Sequence, residues 1–350
     1  MPVFRHREMT DFARSHFRKG GMATDKAEVV ARTLVEADLL GHTTHGLRLL
    51  PGYLDELSQG KMKPDGEPTV KKDGGSTLVW DGGYLPGPWL VERVLDWAYE
   101  RVKKSGIVWA SVGRSHHIAC LEAYLLRPVS DGYICLIATS DPAVGTVAPF
   151  GGISPVYTPN PIAFGVPTDG TPILVDISTS TTANGVVNLF RSRGEGLPGQ
   201  WLLDNQGYPT DDPNALFSDP PGTVLPLGGY DLGYKGFALG VMVEALTQGL
   251  AGHGRADGPD QWGCSFSVLL MDPESFGGRE ELQRQLGWLV DACHASPTRP
   301  GADRVLLPGE RGLARRRKQM EEGLSLDDQL VAALGECAQR FGVELPRVFS

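Results

Sequence analysis

Residues 113–125 read GRSHHIACLEAYL, and this stretch decides the fold because two adjacent histidines stand where a strand gives way to a helix. The apolar run before it, 107–112 (IVWASV), predicts a strand, and the residues from about 119 to 130 predict a helix. Residues 133–140 (YICLIATS) predict the next strand. This alternation indicates an α/β fold with His116 and His117 at a strand-to-helix junction, although a histidine pair can also be two solvated loop residues.

The rest of the chain divides into a helical part and a sheet-rich part. Apolar spacing predicts helices starting at Thr24 and over 47–57, 236–250 and 326–341, and strands over 77–83, 173–178 and 265–271. The stretch 141–233 is dense in Pro, Gly, Asp and Thr, so we expect few helices there and interpret it as binding loops. We therefore predict a helical lobe formed by residues 1–75 with 275–350, and a sheet-rich domain over 76–274.

Composition excludes several classes of protein. The 350 residues are 41% hydrophobic and 21% charged, as in a globular domain, and the net charge of −9 argues against general affinity for nucleic acid or anionic membranes. The N-terminal residues lack the apolar segment of a signal peptide, and no apolar run reaches the ~18 residues of a membrane span. Five scattered cysteines contain no CxxC pair, so we expect a cytoplasmic protein with free thiols.

Two short motifs match known patterns but lack the neighbouring residues that those patterns require. Residues 194–199 (GEGLPG) match the dinucleotide-binding pattern GxGxxG, but Pro198 and the turn-rich residues after it favour a plain loop. His42 and His45 form an HxxH pair that could reach a metal, yet no third ligand follows at a suitable spacing. The sequence therefore predicts no metal site.

Six segments in register carry a resemblance that extends over essentially the whole chain. They are ADLLGHTTHGLRLLPGYLDEL (37–57), GRSHHIACLEAYL (113–125), VAPFGGISPVYTPNPIAFGVPTDGTPILVDISTS (147–180), WLLDNQGYPTDDP (201–213), LPLGGYDLGYKGFALGVMVEAL (225–246) and LLPGERG (306–312). Together they resemble the malate/L-lactate dehydrogenase family that lacks a Rossmann fold, which includes ureidoglycolate, sulfolactate and diketogulonate oxidoreductases and cyclic-imine reductases. The resemblance implies a non-Rossmann α/β fold with a largely antiparallel cofactor-binding sheet and a helical lobe from both chain ends, a homodimer, and NAD or NADP as cofactor.

The same resemblance implies roles for individual residues. The family's S-x-H segment places His117 as the catalytic acid/base, and its S-H-G segment places His45 beside the substrate. Asp176 is also expected at the catalytic centre. The residues expected to bind substrate are Thr44, Arg48 and Tyr53. One departure stands out, because many relatives carry an arginine where this chain has Leu49, and Arg48 lies one position earlier.

Cofactor contacts are implied for a further group of positions. They are Ser115, Asn160, Asp176, Ile177, Ser178, Lys235, Gly236, Pro308, Gly309 and Glu310. Two of them have ordinary alternatives, since Asp176 could cap a turn and Lys235 could be a solvated surface lysine.

The chemistry expected is hydride transfer between a nicotinamide cofactor and a small acid. Reduction of a 2-oxo acid to a 2-hydroxy acid also moves a proton, and histidine titrates near neutral pH. An alternative is reduction of a cyclic imine such as pyrroline- or piperideine-2-carboxylate, where the substrate nitrogen can already carry its proton. A second alternative, a binding protein that has lost catalysis, is disfavoured because His45, His117, Asp176 and Lys235 are all present.

Overall fold

The structure is a computed structural model that describes residues 1–349. Its helices are α1 (His6–Lys19), α2 (Thr24–Leu40), α3 (Leu50–Ser58), α4 (Gly87–Ser105), α5 (Glu122–Ser130), α6 (Asn184–Arg193), α7 (Gly229–Leu232), α8 (Tyr234–Glu244), α9 (Arg279–His294), α10 (Glu310–Glu322) and α11 (Asp328–Phe341). Its strands are β1 (Val3–Phe4), β2 (Thr69–Asp73), β3 (Thr77–Asp81), β4 (Ile107–Ser115), β5 (Ile134–Ser140), β6 (Ile162–Val166), β7 (Ile173–Ile177), β8 (Leu202–Leu203), β9 (Pro209–Thr210), β10 (Thr223–Val224), β11 (Cys264–Met271) and β12 (Leu324–Ser325). Among these helices, none is both long and apolar enough to cross a membrane.

The main sheet has seven strands in the order β2-β3-β4-β11-β5-β6-β7. Strands β3 and β4 are parallel, and every other neighbouring pair in this sheet is antiparallel. A Rossmann sheet is parallel and built from βαβ crossovers. The prediction of a non-Rossmann α/β fold with a largely antiparallel sheet is therefore confirmed.

Alternation along β4 and β11 gives this sheet two different faces. Val108, Ala110 and Val112 are buried with apolar residues of α4 in one hydrophobic cluster. On the opposite face, the hydroxyl groups of Ser111 and Ser267 lie 2.8 Å apart. The Ser267 hydroxyl also donates to a backbone carbonyl in the short π-helical turn that continues α8. The period-two pattern thus places one apolar layer against the helices and one polar layer under α8.

A second hydrophobic cluster consists mostly of helices from the two ends of the chain. It contains buried residues of α1, α2, α3 and α11, together with Ala119 from the histidine segment. Leu40 of α2 and Leu313 of α10 belong instead to the cluster of the main sheet, so the two parts share packing. The division of the chain at residues 75 and 275 stays a prediction.

The turn-rich stretch contains two helices that the sequence did not predict, α6 and the four-residue α7. Helix α6 covers Asn184–Arg193 and ends at Gly194 in a left-handed conformation. The GxGxxG match at 194–199 therefore follows a helix, whereas the dinucleotide motif must precede one. Strands β6 and β7 of the main sheet and a small three-stranded sheet, β10-β8-β9, also lie in this stretch.

Candidate active site

A cavity of about 520 Å³ lies where the histidine segment, the loop after α2, the end of β7 and the start of α6 come together. It brings together several of the predicted site residues: Thr44, His45, His117, Asn160, Asp176 and Ser178. Residues far apart in the sequence thus share one site.

The two adjacent histidines face different surroundings. His117 lines the cavity, whereas His116 is 0% exposed and its Nε2 lies 3.4 Å from the carboxylate of Glu56. Both rings also lie against Tyr53 and Trp262, so the difference between them is that only His117 reaches the cavity. Gly87 packs so closely on the carbonyls of both histidines that a Cβ there would lie 2.3 Å from the His116 oxygen. The backbone of α4 therefore holds this segment in place.

Nδ1 of His117 is held by two groups behind the ring. The Tyr53 hydroxyl lies 2.8 Å from it, and the Ala119 backbone N–H donates to it at 3.3 Å. The same hydroxyl donates to the His117 carbonyl at 3.1 Å. The tyrosine was expected to bind substrate, but it is fully buried and does not line the cavity, because α3 places it behind the histidine. Tyr53 therefore contacts His117, the acid/base candidate, and does not reach the cavity itself.

Burial governs the protonation of these rings. The pKa of His117 is lowered well below 6.5, first by burial and then by the neighbouring His45 and His116. Burial also lowers the pKa of His45, and it lowers that of His116 to about 3. The pKa of the Tyr53 phenol is raised well above 10 by burial, so this hydroxyl keeps its proton. At neutral pH the site therefore holds neutral His45 and His117.

His45 faces His117 across the cavity, with ring centroids 5.7 Å apart and planes 27° from parallel. Its Nδ1 lies 2.9 Å from the hydroxyl of Thr44. Gly46, the next residue, has no room for a Cβ because the Asp38 carboxylate would lie 2.3 Å away. This close approach lets the Asp38 carboxylate accept the Leu47 N–H, which fixes the loop.

Asp176 joins the end of β7 to the start of α5. Its carboxylate accepts the backbone N–H of Glu122 at 2.9 Å, a favourable place for an anion at a helix N-terminus. The capping alternative for this residue is therefore real, while its side chain also lines the cavity. Burial raises the pKa of Asp176, and the neighbouring His42 opposes that effect.

One group of donor atoms in the cavity wall could hold a metal. Ligand atoms of His42, Cys120 and Asp176 all lie within 4.8 Å of one another. His42 pairs with Glu122 at 2.5 Å, and the carboxylate of Asp176 already accepts the Glu122 amide. Burial lowers the pKa of His42, but the hydrogen bond to Glu122 and the charge of Asp176 outweigh this and raise it. Of the HxxH pair, only His42 belongs to this group. The other two ligand atoms come from Cys120 and Asp176, which are far from His42 in the sequence.

Arg48 does not face the cavity. Its guanidinium donates to the carboxylate of Asp327 at 2.5 Å, whereas Leu49 lines the cavity. The two belong to a 3-10 turn over Leu47–Leu49, in which each residue is rotated by about 120° from the one before. The structure thus places Arg48 away from the cavity lining, and its substrate contact stays a prediction.

Asn160 lines the cavity but uses its polar atoms inside the protein. Its amide donates to the Gly240 carbonyl and to Glu244, and its oxygen accepts from Thr158. Its φ of 45° is in the left-handed region that few residues other than glycine adopt. Asn160 therefore shapes the cavity wall.

The remaining expected cofactor residues lie outside the cavity lining. Ser115 is buried and donates to the His116 carbonyl, and Ile177 is exposed. Lys235 is exposed in the first turn of α8, and Gly236 packs on Leu227. The turn of Pro308, Gly309 and Glu310 lies at the start of β7, where the Pro308 carbonyl accepts the Leu174 N–H. Their cofactor contacts stay predictions.

Sequence reasoning missed several residues of the cavity wall. Trp262 lies against His117 with ring centroids 4.9 Å apart, and Asp141 follows β5. Asn184 begins α6, and its Oδ1 is buried without a hydrogen-bond partner. These three residues lie in loops or at element ends without periodic pattern, so no sequence signal identified them.

Comparisons with known proteins extend over nearly the whole chain. The sequence profile of a family described as malate/L-lactate dehydrogenase matches residues 4–335. The chain is 32% identical over 329 residues to an L-lactate dehydrogenase of Cupriavidus necator, covering 92% of this chain and 93% of that protein. Among solved structures, a malate dehydrogenase from Entamoeba histolytica superposes with a TM-score of 0.93 at 25% identity, covering 99% of each chain. A delta1-piperideine-2-carboxylate reductase from Pseudomonas syringae gives 0.84 at 27% identity, covering 97% of this chain and 100% of that one.

Proposed function

Because the chain belongs to the malate/L-lactate dehydrogenase family, we propose that it interconverts a small 2-hydroxy acid and its 2-oxo acid, with His117 as the acid/base. The observation that carries this proposal is the setting of His117: the ring lines the cavity while Tyr53 and Ala119 bind its Nδ1 from behind. A nicotinamide cofactor, when bound, supplies or accepts the hydride. The protein's own part is to orient the acid and move one proton.

Tyr53 can serve His117 in both protonation states. When the hydroxyl donates to the His117 carbonyl, its oxygen can accept a hydrogen bond from Nδ1–H; the Ala119 N–H then no longer donates to Nδ1, and the lone pair of the neutral ring is on Nε2. In that arrangement Nε2 can accept the proton of a substrate hydroxyl, and the resulting imidazolium keeps its Nδ1–H bonded. In the reverse direction Nε2 returns this proton to the oxygen that was the substrate carbonyl.

The substrate carboxylate meets the other side of the cavity in this proposal. Thr44, His45 and the first turn of α6 line that side, and Gly185 packs on Thr44. A helix N-terminus with free amides favours an anion. This assignment replaces Arg48 as the carboxylate anchor.

The residues present fit the nicotinamide half that NAD and NADP share. A carboxamide needs a hydrogen-bond donor for its oxygen and an acceptor for its nitrogen, and the unpartnered Oδ1 of Asn184 is such an acceptor. Ser178 and Asp176 line the cavity as further polar groups. We propose that these three hold the cofactor there, with either NAD or NADP.

The direct test is absorbance at 340 nm with NADH and with NADPH, against a panel of 2-oxo acids. We expect turnover with at least one pair, and we expect the reverse reaction with the matching 2-hydroxy acid. No consumption of either cofactor with any 2-oxo acid would contradict the proposal.

A second candidate function is reduction of a cyclic imine. The cavity contains the carboxylates of Asp141 and Asp176, which suit a protonated imine nitrogen, and the piperideine carboxylate reductase shares the fold. Such a substrate already carries its proton, so His117→Ala would lower imine turnover by less than about tenfold while lowering 2-oxo acid turnover ~10²–10⁴-fold. Equal losses of imine and 2-oxo acid turnover in His117→Ala would exclude imine reduction as the function.

We also propose a homodimer. Helices α7 and α8 expose five large hydrophobic side chains: Tyr230, Leu232, Tyr234, Val241 and Met242. Such a patch is unusual on a monomer. Light scattering should give twice the chain mass of 37.7 kDa, and Val241→Glu should shift it toward the monomer. Val70→Glu, at an equally exposed valine on the edge strand β2, is the matched control, and a wild-type monomer would contradict the proposal.

The proposed location is a reducing compartment such as the cytoplasm. All five cysteines are free thiols, and four of them are buried. Stable secreted proteins more often pair their cysteines. Fractionation of cells that produce the protein tests this, with recovery outside the cytoplasmic fraction as the contrary result.

A further inference from the structure

The charges around the cavity bear on which acid the protein takes, and this inference rests on the proposed function. Within residues 1–349, no lysine or arginine side chain lines the cavity. Two carboxylates, Asp141 and Asp176, do line it. An anion of the substrate therefore meets no full positive side-chain charge there, apart from what the histidines can carry.

Two of the nearby arginines are paired with other groups, and a third, Arg315, is exposed and lies outside the cavity lining, although its charge acts on His42. Arg48 is paired with Asp327. Arg255 donates to the Val144 carbonyl at 2.6 Å and pairs with Glu244 at 2.9 Å. Arg315 lies against Gly41, at the start of the loop.

His42, which also lines the cavity, is paired with Glu122 at 2.5 Å and lies near Asp176, so carboxylates already surround it. The cavity can therefore hold one carboxylate on the side of Thr44 and α6. It has no compensating charge for a second anionic group.

Part of the cavity wall is apolar. Leu49 and Trp262 both line the cavity and both pack against the hydrophobic cluster of the terminal helices. Trp262 lies against the His117 ring with centroids 4.9 Å apart, so an apolar substituent of a substrate held at His117 can contact it. A buried anion without a partner is strongly disfavoured, whereas an alkyl group gains from contact with Leu49 and Trp262.

We propose that the preferred substrate is a monocarboxylic 2-oxo acid with an uncharged, apolar side chain, and that Leu49 is a specificity-determining residue that disfavours dicarboxylic and sulfonated acids. The side chain of the substrate packs on Leu49 and Trp262. Its single carboxylate lies toward Thr44 and the start of α6.

The test compares substrates of one shape and different charge. 4-Methyl-2-oxopentanoate carries an isopropyl group where oxaloacetate carries its second carboxylate. Sulfopyruvate carries a sulfonate at the same place. With the intact protein and whichever of NADH or NADPH supports turnover, we expect kcat/KM for 4-methyl-2-oxopentanoate to exceed that of both dianions by about a hundredfold. A wild-type preference for oxaloacetate or sulfopyruvate would overturn the inference and leave the proposed function standing. If none of these three acids and not even pyruvate is turned over, both this inference and the proposed function are wrong.

A substitution tests the residue itself. Leu49→Arg supplies the missing cation and should raise kcat/KM for oxaloacetate at least tenfold, while lowering that for 4-methyl-2-oxopentanoate. Leu49→Met, a change of shape without charge, is the matched control and should keep the wild-type preference. An unchanged preference in a folded Leu49→Arg protein would show that position 49 does not determine specificity, and the wild-type substrate comparison decides the class on its own if that variant fails to fold.

Discussion

The hydroxyl of Tyr53 lies 2.8 Å from Nδ1 of His117, on the side of the ring away from the cavity. The phenol belongs to α3 and the imidazole to the segment after β4, so packing of α3 against this segment sets the direction of the acid/base candidate. A group that positions the reacting histidine through its second nitrogen is a common device in proton-transfer sites.

Tyr53→Phe should lower turnover about tenfold or more while keeping cofactor binding. A hydrogen bond to a charged group contributes roughly 1.5–3 kcal/mol, so the imidazolium loses support and the apparent pKa of His117 falls further. The rate and its pH profile measure both effects. Tyr124→Phe is the control, since that buried hydroxyl donates to the Ile118 carbonyl and does not touch His117. Equal effects of the two changes would mean that the Tyr53 contact is only structural.

The pH dependence should follow the lowered pKa of His117. Burial, followed by the neighbouring His45 and His116, lowers it well below 6.5, so the neutral ring dominates at neutral pH. Oxidation of a 2-hydroxy acid needs the neutral ring and should show no loss of kcat/KM as pH falls from 8 to 6.5. Reduction needs the imidazolium and should become faster by up to about tenfold per unit as pH decreases. An acidic limb centred at or above 6.5 in the oxidation profile would contradict the assignment.

Arg48→Leu should affect stability and leave substrate binding nearly unchanged. The pair with Asp327 links the loop after α2 to α11, because the same aspartate accepts the Leu330 N–H at the start of that helix. Both partners are partly exposed, so we expect a loss of about 1–2 kcal/mol in unfolding free energy and a KM within about threefold of wild type. Asp327→Asn should cost a similar amount, and the double variant should be less than additive. A KM raised more than tenfold at unchanged stability would return Arg48 to the substrate site.

His116 should make the fold sensitive to acid. Burial lowers its pKa from 6.5 to about 3, so below pH 6.5 the unfolded chain binds a proton that the folded protein does not. The unfolding free energy that depends on a neutral His116 is therefore at its full value above pH 6.5. It decreases by about 1.4 kcal/mol per pH unit as the pH falls toward 3. His116→Gln should reduce the slope of unfolding free energy between pH 6 and 5 by about that amount. Identical slopes for wild type and His116→Gln would show that His116 does not make the fold sensitive to acid.

Regular pattern made the sheet predictable from the sequence. The predicted strand at 107–112 is part of β4, and the one at 265–271 is part of β11, because alternating apolar and small residues have only one good arrangement between two layers. Helix α6 was missed because its short amphipathic run is surrounded by Thr, Gly and Pro. The alternation signal says nothing about such a segment.

Side-chain direction in loops was the harder part of the site. Position in a motif identified His45, His117 and Asp176, and the structure brings these three to one cavity. Arg48 and Tyr53 have motif positions too, but their direction depends on a 3-10 turn and on the packing of α3. Those are tertiary features that spacing along the chain does not encode.

The most direct test of the account is the single-turnover rate of cofactor oxidation by a 2-oxo acid in three variants: His117→Ala, His116→Ala and His45→Ala. Removal of a positioned general acid typically costs ~10²–10⁴-fold, and we predict this loss for His117→Ala with an unchanged Kd for the cofactor. His116→Ala should lose about tenfold or less, and His45→Ala should act mainly by raising the substrate concentration needed for half saturation. Equal losses at His116 and His117, or a near-normal rate for His117→Ala beside a large loss for His45→Ala, would contradict the claim that His117 transfers the proton.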